Sequence, residues 1–144
     1  MKLETIQELW HQDCKIDTTD ISKEASNIPS LHEKYYKIYI GEKLQLYKLQ
    51  ADYKKLKLEK YEFLINPTEE DVRDKGWKIP DRGKILRQEV SGYLEGDSDM
   101  INKELQIGIQ QEKVEFIKSI IDSISKRGFL LKTIHDDRKF MSGG

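Results

Sequence analysis

The sequence predicts an all-α protein, with long amphipathic helices joined by short ones, and three observations carry that prediction. Only three prolines and nine glycines occur in 144 residues, while Lys, Glu, Leu, Ile and Gln abound. Apolar side chains recur seven residues apart through two long stretches, about 30–65 and 98–126. Hydrophobic residues make up 37% of the chain against 35% charged, a lean supply of core. That leanness points to a core completed by copies of the same chain. The length suits a single domain, 1–144. Within it, helices of 1–66 are followed by a loop and short helix over 67–96 and by further helices over 97–144.

Each element follows from its own pattern. Residues 2–12 place Leu3, Ile6, Leu9 and Trp10 on one side of a short helix. Asp17 or Thr18 can cap a second helix, about 19–27, by accepting hydrogen bonds from its free N–H groups. Pro29 then kinks the chain or opens a new helix. Across 30–65, Tyr39, Leu46, Tyr53 and Lys60 form one seven-residue series, and Glu42, Leu49, Leu56 and Phe63 form its partner. This is a heptad seam with two charged interruptions, Glu42 and Lys60. A second stripe, Ile40, Leu44, Tyr47, Ala51, Leu58 and Ile65, implies a further neighbour for the same helix. Asn66-Pro67 stops it, and Thr68 is placed to cap a short turn over Glu69, Glu70 and Asp71. Residues 74–83, with Gly76, Pro80 and Gly83, read as an exposed loop. A helix of about 84–94 follows.

The last long helix, about 98–126, carries Met100, Ile107, Val114 and Ile121 seven apart, with Ile117 and Ile124 as partners. Leu105, Ile109, Phe116 and Ile120 widen that face. Gly128 after Lys126-Arg127 reads as its stop. A final helix of about 130–140 presents Leu131, Ile134 and Phe140.

Several classes of function are disfavoured. Twenty-five Lys and Arg against 26 Asp and Glu give a net charge of −1, which excludes a wholly basic nucleic-acid binder. The single cysteine, Cys14, cannot form an intrachain disulfide and fits a reducing compartment. The first ten residues have no apolar run of signal-peptide type. No run of hydrophobic residues exceeds three, too short to cross a bilayer. A soluble, cytoplasmic protein without membrane partners is therefore expected. There is no Gly-rich phosphate loop, and His11, His32 and His135 are scattered, which argues against ATP hydrolysis and a zinc site. Asp97-x-Asp99 reads as a helix cap more readily than as a metal site. No cofactor, metal or catalytic constellation is expected, and the chain reads as a non-enzyme.

The balanced total hides a segregation. Residues 1–33 carry 3 basic and 7 acidic side chains, whereas 34–66 carry 8 lysines and 4 acids. Six of the seven tyrosines fall in 34–66 as well. Lysines follow a phosphate backbone while aromatic faces stack on unpaired bases, a combination suited to single strands. The same pattern also suits a plain amphipathic helix, with tyrosines toward a core and lysines in water. Lys60, on the seam, is either a snorkelling lysine or a cation aimed at a phosphate. The loop 73–87, with Arg73, Lys75, Lys78, Arg82, Lys84 and Arg87 around Trp77, is either a second nucleic-acid contact or an ordinary polar loop. A protein-only scaffold or adaptor built on the same coiled-coil patterning is the alternative to a nucleic-acid binder.

The C-terminal run Ser125-Lys126-Arg127-Gly128-Phe129, with Lys132, Ile134, Asp136, Arg138 and Phe140 after it, together with Ile16-Asp17-x-Thr19 and Glu24-Ala25-x-Asn27, resembles the UvsY family of bacteriophage recombination mediators. The resemblance implies a non-enzymatic protein that binds single-stranded DNA and forms a homo-oligomeric ring of six or seven subunits. It also implies that the protein helps load a RecA-like phage recombinase onto DNA covered by the phage single-strand-binding protein, in the host cell cytoplasm, during recombination, replication and repair. The family's Leu-Lys-x-Arg-Leu motif corresponds here to Leu56-Lys57-Leu58-Glu59-Lys60-Tyr61; one register sets Lys60 opposite its Arg and another sets Lys57 opposite its Lys. Candidate DNA contacts are thus Lys54, Lys55, Lys57 and Lys60 with Tyr53 and Tyr61. The family's C-terminal region drives oligomerisation, which implies subunit contacts through Val114, Ile117, Ile121, Ile124, Phe129, Leu131, Ile134 and Phe140.

Overall fold

The computed structural model describes residues 1–143, and its regular structure is helical, with no strand among them. Helix α1 is Leu3–Asp13, α2 Ile21–Ile65, α3 Glu69–Lys75, α4 Val90–Glu95, α5 Ser98–Ser125 and α6 Arg127–Met141. A 3-10 turn, Arg87–Glu89, leads into α4. No helix among the described residues is long and apolar enough to cross a membrane.

Four boundaries differ from expectation, the simplest being the helix expected at about 84–94, whose α-helical part begins only at Val90. The helices expected at 19–27 and 30–65 are one element of 45 residues with Pro29 inside it. Proline removes one N–H from the ladder, and Ile28 and Leu31 on either side pack onto the core, which holds the helix together there. The cap of α2 lies beyond Asp17 and Thr18: the Asp20 carboxylate accepts the Lys23 N–H at 3.1 Å, while Asp17 accepts the Thr19 N–H at 2.9 Å in the turn before it. At the other end Gly128 falls inside α6, and α5 stops three residues earlier, at Ser125. The cap on α3 is as read: the Asp71 N–H donates to the Thr68 hydroxyl at 3.2 Å. Gly76 ends α3 at φ 69°, a left-handed conformation that a side chain resists.

The chain divides into two compact units. The first joins Met1–Leu44 with the chain from Gln110 onward; the second is Gln45–Ile109. In the first unit, Ile6 of α1, Tyr35 of α2 and Ile117, Ile120 and Ile124 of α5 form a closed core, with Leu9, Trp10 and Leu31 against it. Arg127 closes this unit. It is buried, donates to the Asp13 carbonyl at 2.8 Å, and lies 3.9 Å from Glu24 and 5.8 Å from the Trp10 ring. Arg138 of α6 also donates to the Thr18 carbonyl. In the second unit, Leu64, Ile85, Val90, Leu94 and Met100 form the core, and Tyr53, Leu56, Tyr61 and Ile65 pack on it.

The heptad seam of α2 is its buried face, and both charged interruptions are buried with it. Glu42 receives the Met1 ammonium at 2.9 Å and the Gln110 amide at 2.8 Å, with the Lys113 ammonium at 3.5 Å. Burial alone would raise the pKa of Glu42, but these donors and charges outweigh it and hold the carboxyl below its ordinary value. A folded-state pKa below the unfolded one means that the unfolded chain binds the proton more readily. The stabilisation is therefore present above about pH 4.5, the ordinary value, and is lost as pH falls through the depressed one. Glu42→Gln is expected to flatten the loss of stability over that acidic window, read from urea midpoints at a series of pH values.

The second stripe of α2 does not find the further neighbour expected for it. Ile40, Leu44, Tyr47, Ala51 and Leu58 are exposed, as are Ile101, Leu105 and Ile109 of α5. Leu105 and Ile109 therefore do not widen the buried face of α5, while Phe116 and Ile120 do.

Candidate nucleic-acid interface

The six side chains expected to meet DNA separate by burial. Lys54, Lys55 and Lys57 are exposed and have no ion-pair partner among the described residues. Lys54 and Lys55 lie on the side of α2 away from its buried seam, and Lys57 flanks the seam one residue after Leu56. Tyr47, Ala51 and Leu58 run along the same outward face, flanked by Lys48, Lys54 and Lys55. An exposed apolar strip with cations on both sides is the arrangement that lysine–tyrosine interleaving suggested, but the ring at its centre is Tyr47 rather than Tyr53 or Tyr61. Those two are half-buried against the core of the second unit. The Tyr53 hydroxyl donates to Glu104 at 2.7 Å, and that bond, with burial second, raises its pKa. A helical-wheel projection anchored on Leu46, Lys60 and Phe63 sets Tyr53 toward the seam and Tyr47 away from it, but leaves Tyr61 about 110° off the seam, so the packing of Tyr61 was not legible from spacing.

Lys60 stands apart from the other three lysines. It is 6% exposed, and its Nζ lies 2.8 Å from Asp99 and 3.2 Å from Asp97. The Trp77 ring centroid is 4.4 Å from the same ammonium, with Lys75 4.5 Å from that centroid. Phe63 meets Trp77 edge-on at 5.3 Å. Lys60 thus joins α2 to the start of α5 and to the loop after α3. A buried cation with two carboxylates within reach is neutralised where it sits, and this arrangement suits packing better than a phosphate contact. Its partners were hidden in the sequence because they lie 37 and 39 residues away. Asp97 also accepts the Met100 N–H at 3.0 Å, the capping role read from Asp97-x-Asp99.

Around Trp77 the loop is pinned rather than loose. Pro80 and Gly83 close a turn through a 2.7 Å hydrogen bond, and Ile85 donates to the Leu64 carbonyl at 3.0 Å. Lys75 bonds Asp71 and Glu59, both at 3.4 Å.

The eight side chains expected at subunit contacts divide as well. Val114, Ile117, Ile124 and Leu131 are buried within their own chain and cannot reach another copy. Ile121 and Ile134 are half-buried. Phe129 and Phe140 are 78% and 82% exposed, and Leu130 and Met141 are exposed beside them. Heptad spacing does not tell a seam within a chain from a seam between chains, and most of this one is internal.

Comparison with known proteins agrees with this architecture. The sequence model of the family described as recombination, repair and ssDNA binding protein UvsY matches residues 9–144. The recombination protein uvsY of Enterobacteria phage T4 is 27% identical over 146 residues, covering 99% of each chain. One crystal structure of the bacteriophage T4 recombination mediator protein UvsY superposes with a TM-score of 0.77 at 25% identity, over 99% of this chain and 98% of the other. A second lattice form gives 0.77 at 23% identity, over 98% and 99%. With fold, length and family model in agreement, the chain belongs to the UvsY family of recombination, repair and single-stranded-DNA-binding proteins.

Proposed function

We propose that this protein is a recombination mediator that grips single-stranded DNA on the outward face of α2 and presents it for loading of a RecA-like recombinase. The observation that carries the reading is the unpaired trio Lys54, Lys55 and Lys57, the first two on either side of an exposed apolar strip and the third between that strip and the seam, in a chain of this family. Unpaired lysines release counterions when they meet phosphates, and an apolar strip between them accepts the faces of bases. A duplex keeps those faces stacked, so the surface favours the single strand.

One such face is weak. A ring of six or seven copies repeats it and raises affinity through effective concentration. The strand would then be held extended and loosened from the phage single-strand-binding protein as the recombinase assembles. The surfaces available for ring closure are Phe129, Leu130, Phe140 and Met141 of α6 and the open stripe Ile101, Leu105 and Ile109 of α5. Exposed apolar groups of this size are costly in water and are commonly covered by a partner. The work is non-catalytic and takes place in the host cytoplasm.

Two measurements test the reading. Affinity for oligo-dT should fall steeply with salt; a salt-insensitive complex removes the lysine account, and no complex at all leaves the protein-only scaffold. Phe129→Asp with Phe140→Asp should shift native mass toward smaller species while leaving the helical signal intact, because neither ring belongs to the subunit core. An unchanged mass would place ring closure elsewhere.

A further inference from the structure

The loop after α3 and the start of α5 enclose an open cleft of about 810 Å³ that the function above does not use. It lies wholly within the second unit. Its size falls within the range of about 300–1,000 Å³ typical of small-ligand sites. We propose that this cleft is a second single-strand contact which takes one nucleotide, its base against Tyr93 and Ile79 and its phosphate at Lys78 and Arg82. The proposal rests on the reading of this protein as a single-strand binder.

Charge and exposure carry the argument. Seven charged side chains line the cleft, and pairing reduces the field of several of them. Lys60 offsets one of the two charges of Asp97 and Asp99, and Lys75 is held by Asp71 and Glu59. The two acids on the floor therefore act on a phosphate as about one negative charge, held at the Lys60 ammonium. Lys78 has no carboxylate partner among the described residues. Arg82 lies 3.3 Å from Glu89 through a side chain that is 66% exposed. An exposed pair of that kind contributes little, and a guanidinium gains more from a phosphate fork. Asp81 and the residual charge of the Asp97–Asp99 pair are the acids left in the lining; Lys78 and Arg82 are exposed and can meet a phosphate at the mouth, clear of the Lys60 cluster.

The apolar part of the lining points the same way. Tyr93 and Ile79 are 38% and 40% exposed, whereas Trp77 behind them is closed off between two lysines and Phe63. The half-open ring and the isoleucine are apolar groups in the same lining as Lys78 and Arg82. That pairing suits a base attached to its phosphate and offers little to a free inorganic anion. Because Trp77 and the turn at Gly83 pin the loop, the site is formed before the strand arrives, and little ordering entropy opposes binding.

Titration of the full-length protein with labelled oligo-dT over a salt series tests this. Tyr93→Leu should weaken binding about tenfold at every salt concentration, the effect of losing one base–aromatic stack, and Tyr93→Phe should restore it. Lys78→Ala with Arg82→Ala should reduce the log–log salt slope by about 1.4, for two lost phosphate contacts. All these side chains lie outside the core, so the variants keep their fold. If both changes leave affinity and slope as in the parent while loss of Lys54, Lys55 and Lys57 abolishes binding, no strand enters the cleft and the α2 reading stands. If the parent protein itself binds no oligo-dT, both readings fail together.

Discussion

Replacing Lys54, Lys55 and Lys57 together with alanine will weaken single-stranded DNA binding about a hundredfold at low salt and reduce the salt slope by about 2. The slope follows from three phosphate contacts at about 0.7 each on a single strand. The affinity loss follows from three charge-assisted contacts, each modest after desolvation. Exposure makes this a clean experiment. None of the three side chains has a partner among the described residues, so their removal strands no carboxylate. Alanine also has the highest helix propensity, which keeps α2 intact. Thermal midpoint and native mass should therefore remain at parental values. A triple variant that binds oligo-dT with the parent's affinity and slope would move the interface off this face of α2.

Lys60→Ala should show the opposite profile, a large loss of stability with an unchanged salt slope for DNA. Its removal leaves Asp97 and Asp99 facing each other and the Trp77 ring, after loss of the ammonium between them. Breaking a buried pair commonly costs about 3–5 kcal/mol. Asp99 is half-exposed and can turn to water, which brings the expected loss down to about 2–3 kcal/mol. For a chain of this length that is a fall in Tm of about 5–10 °C. Lys60→Met, which keeps the stem against Trp77, should recover a small part of it. Replacing Asp97 and Asp99 with Asn in the Lys60→Met background should recover more, since the uncompensated charges are then gone. If Lys60→Ala instead keeps its Tm and loses DNA, the lysine on the seam is a phosphate contact after all.

Helical class was legible in the sequence because it rests on local signals, namely propensity, heptad spacing and caps such as Thr68. The seam of α2 was legible for the same reason, down to the two charges that interrupt it. What those charges meet was not legible. Glu42 and Gln110 are 68 residues apart, and no periodicity joins them. Exposure of the second stripe was misjudged because apolar patterning records that a face avoids water but not whether the cover comes from the same chain. The oligomer set failed at Val114, Ile117, Ile124 and Leu131 on that same point. Pro29 was given more weight as a breaker than it has, since its ring faces solvent and its neighbours on the helix are anchored.

The two tryptophans fall one to each unit. Trp10 packs edge-on to Tyr35 at 5.5 Å in the first, and Trp77 is clamped between lysines in the second. Each compact body therefore has its own intrinsic fluorophore. With excitation selective for tryptophan, a Trp10→Phe chain reports on 45–109 and a Trp77→Phe chain on the remainder, so chemical denaturation followed at the emission maximum resolves whether the halves melt in concert or in sequence.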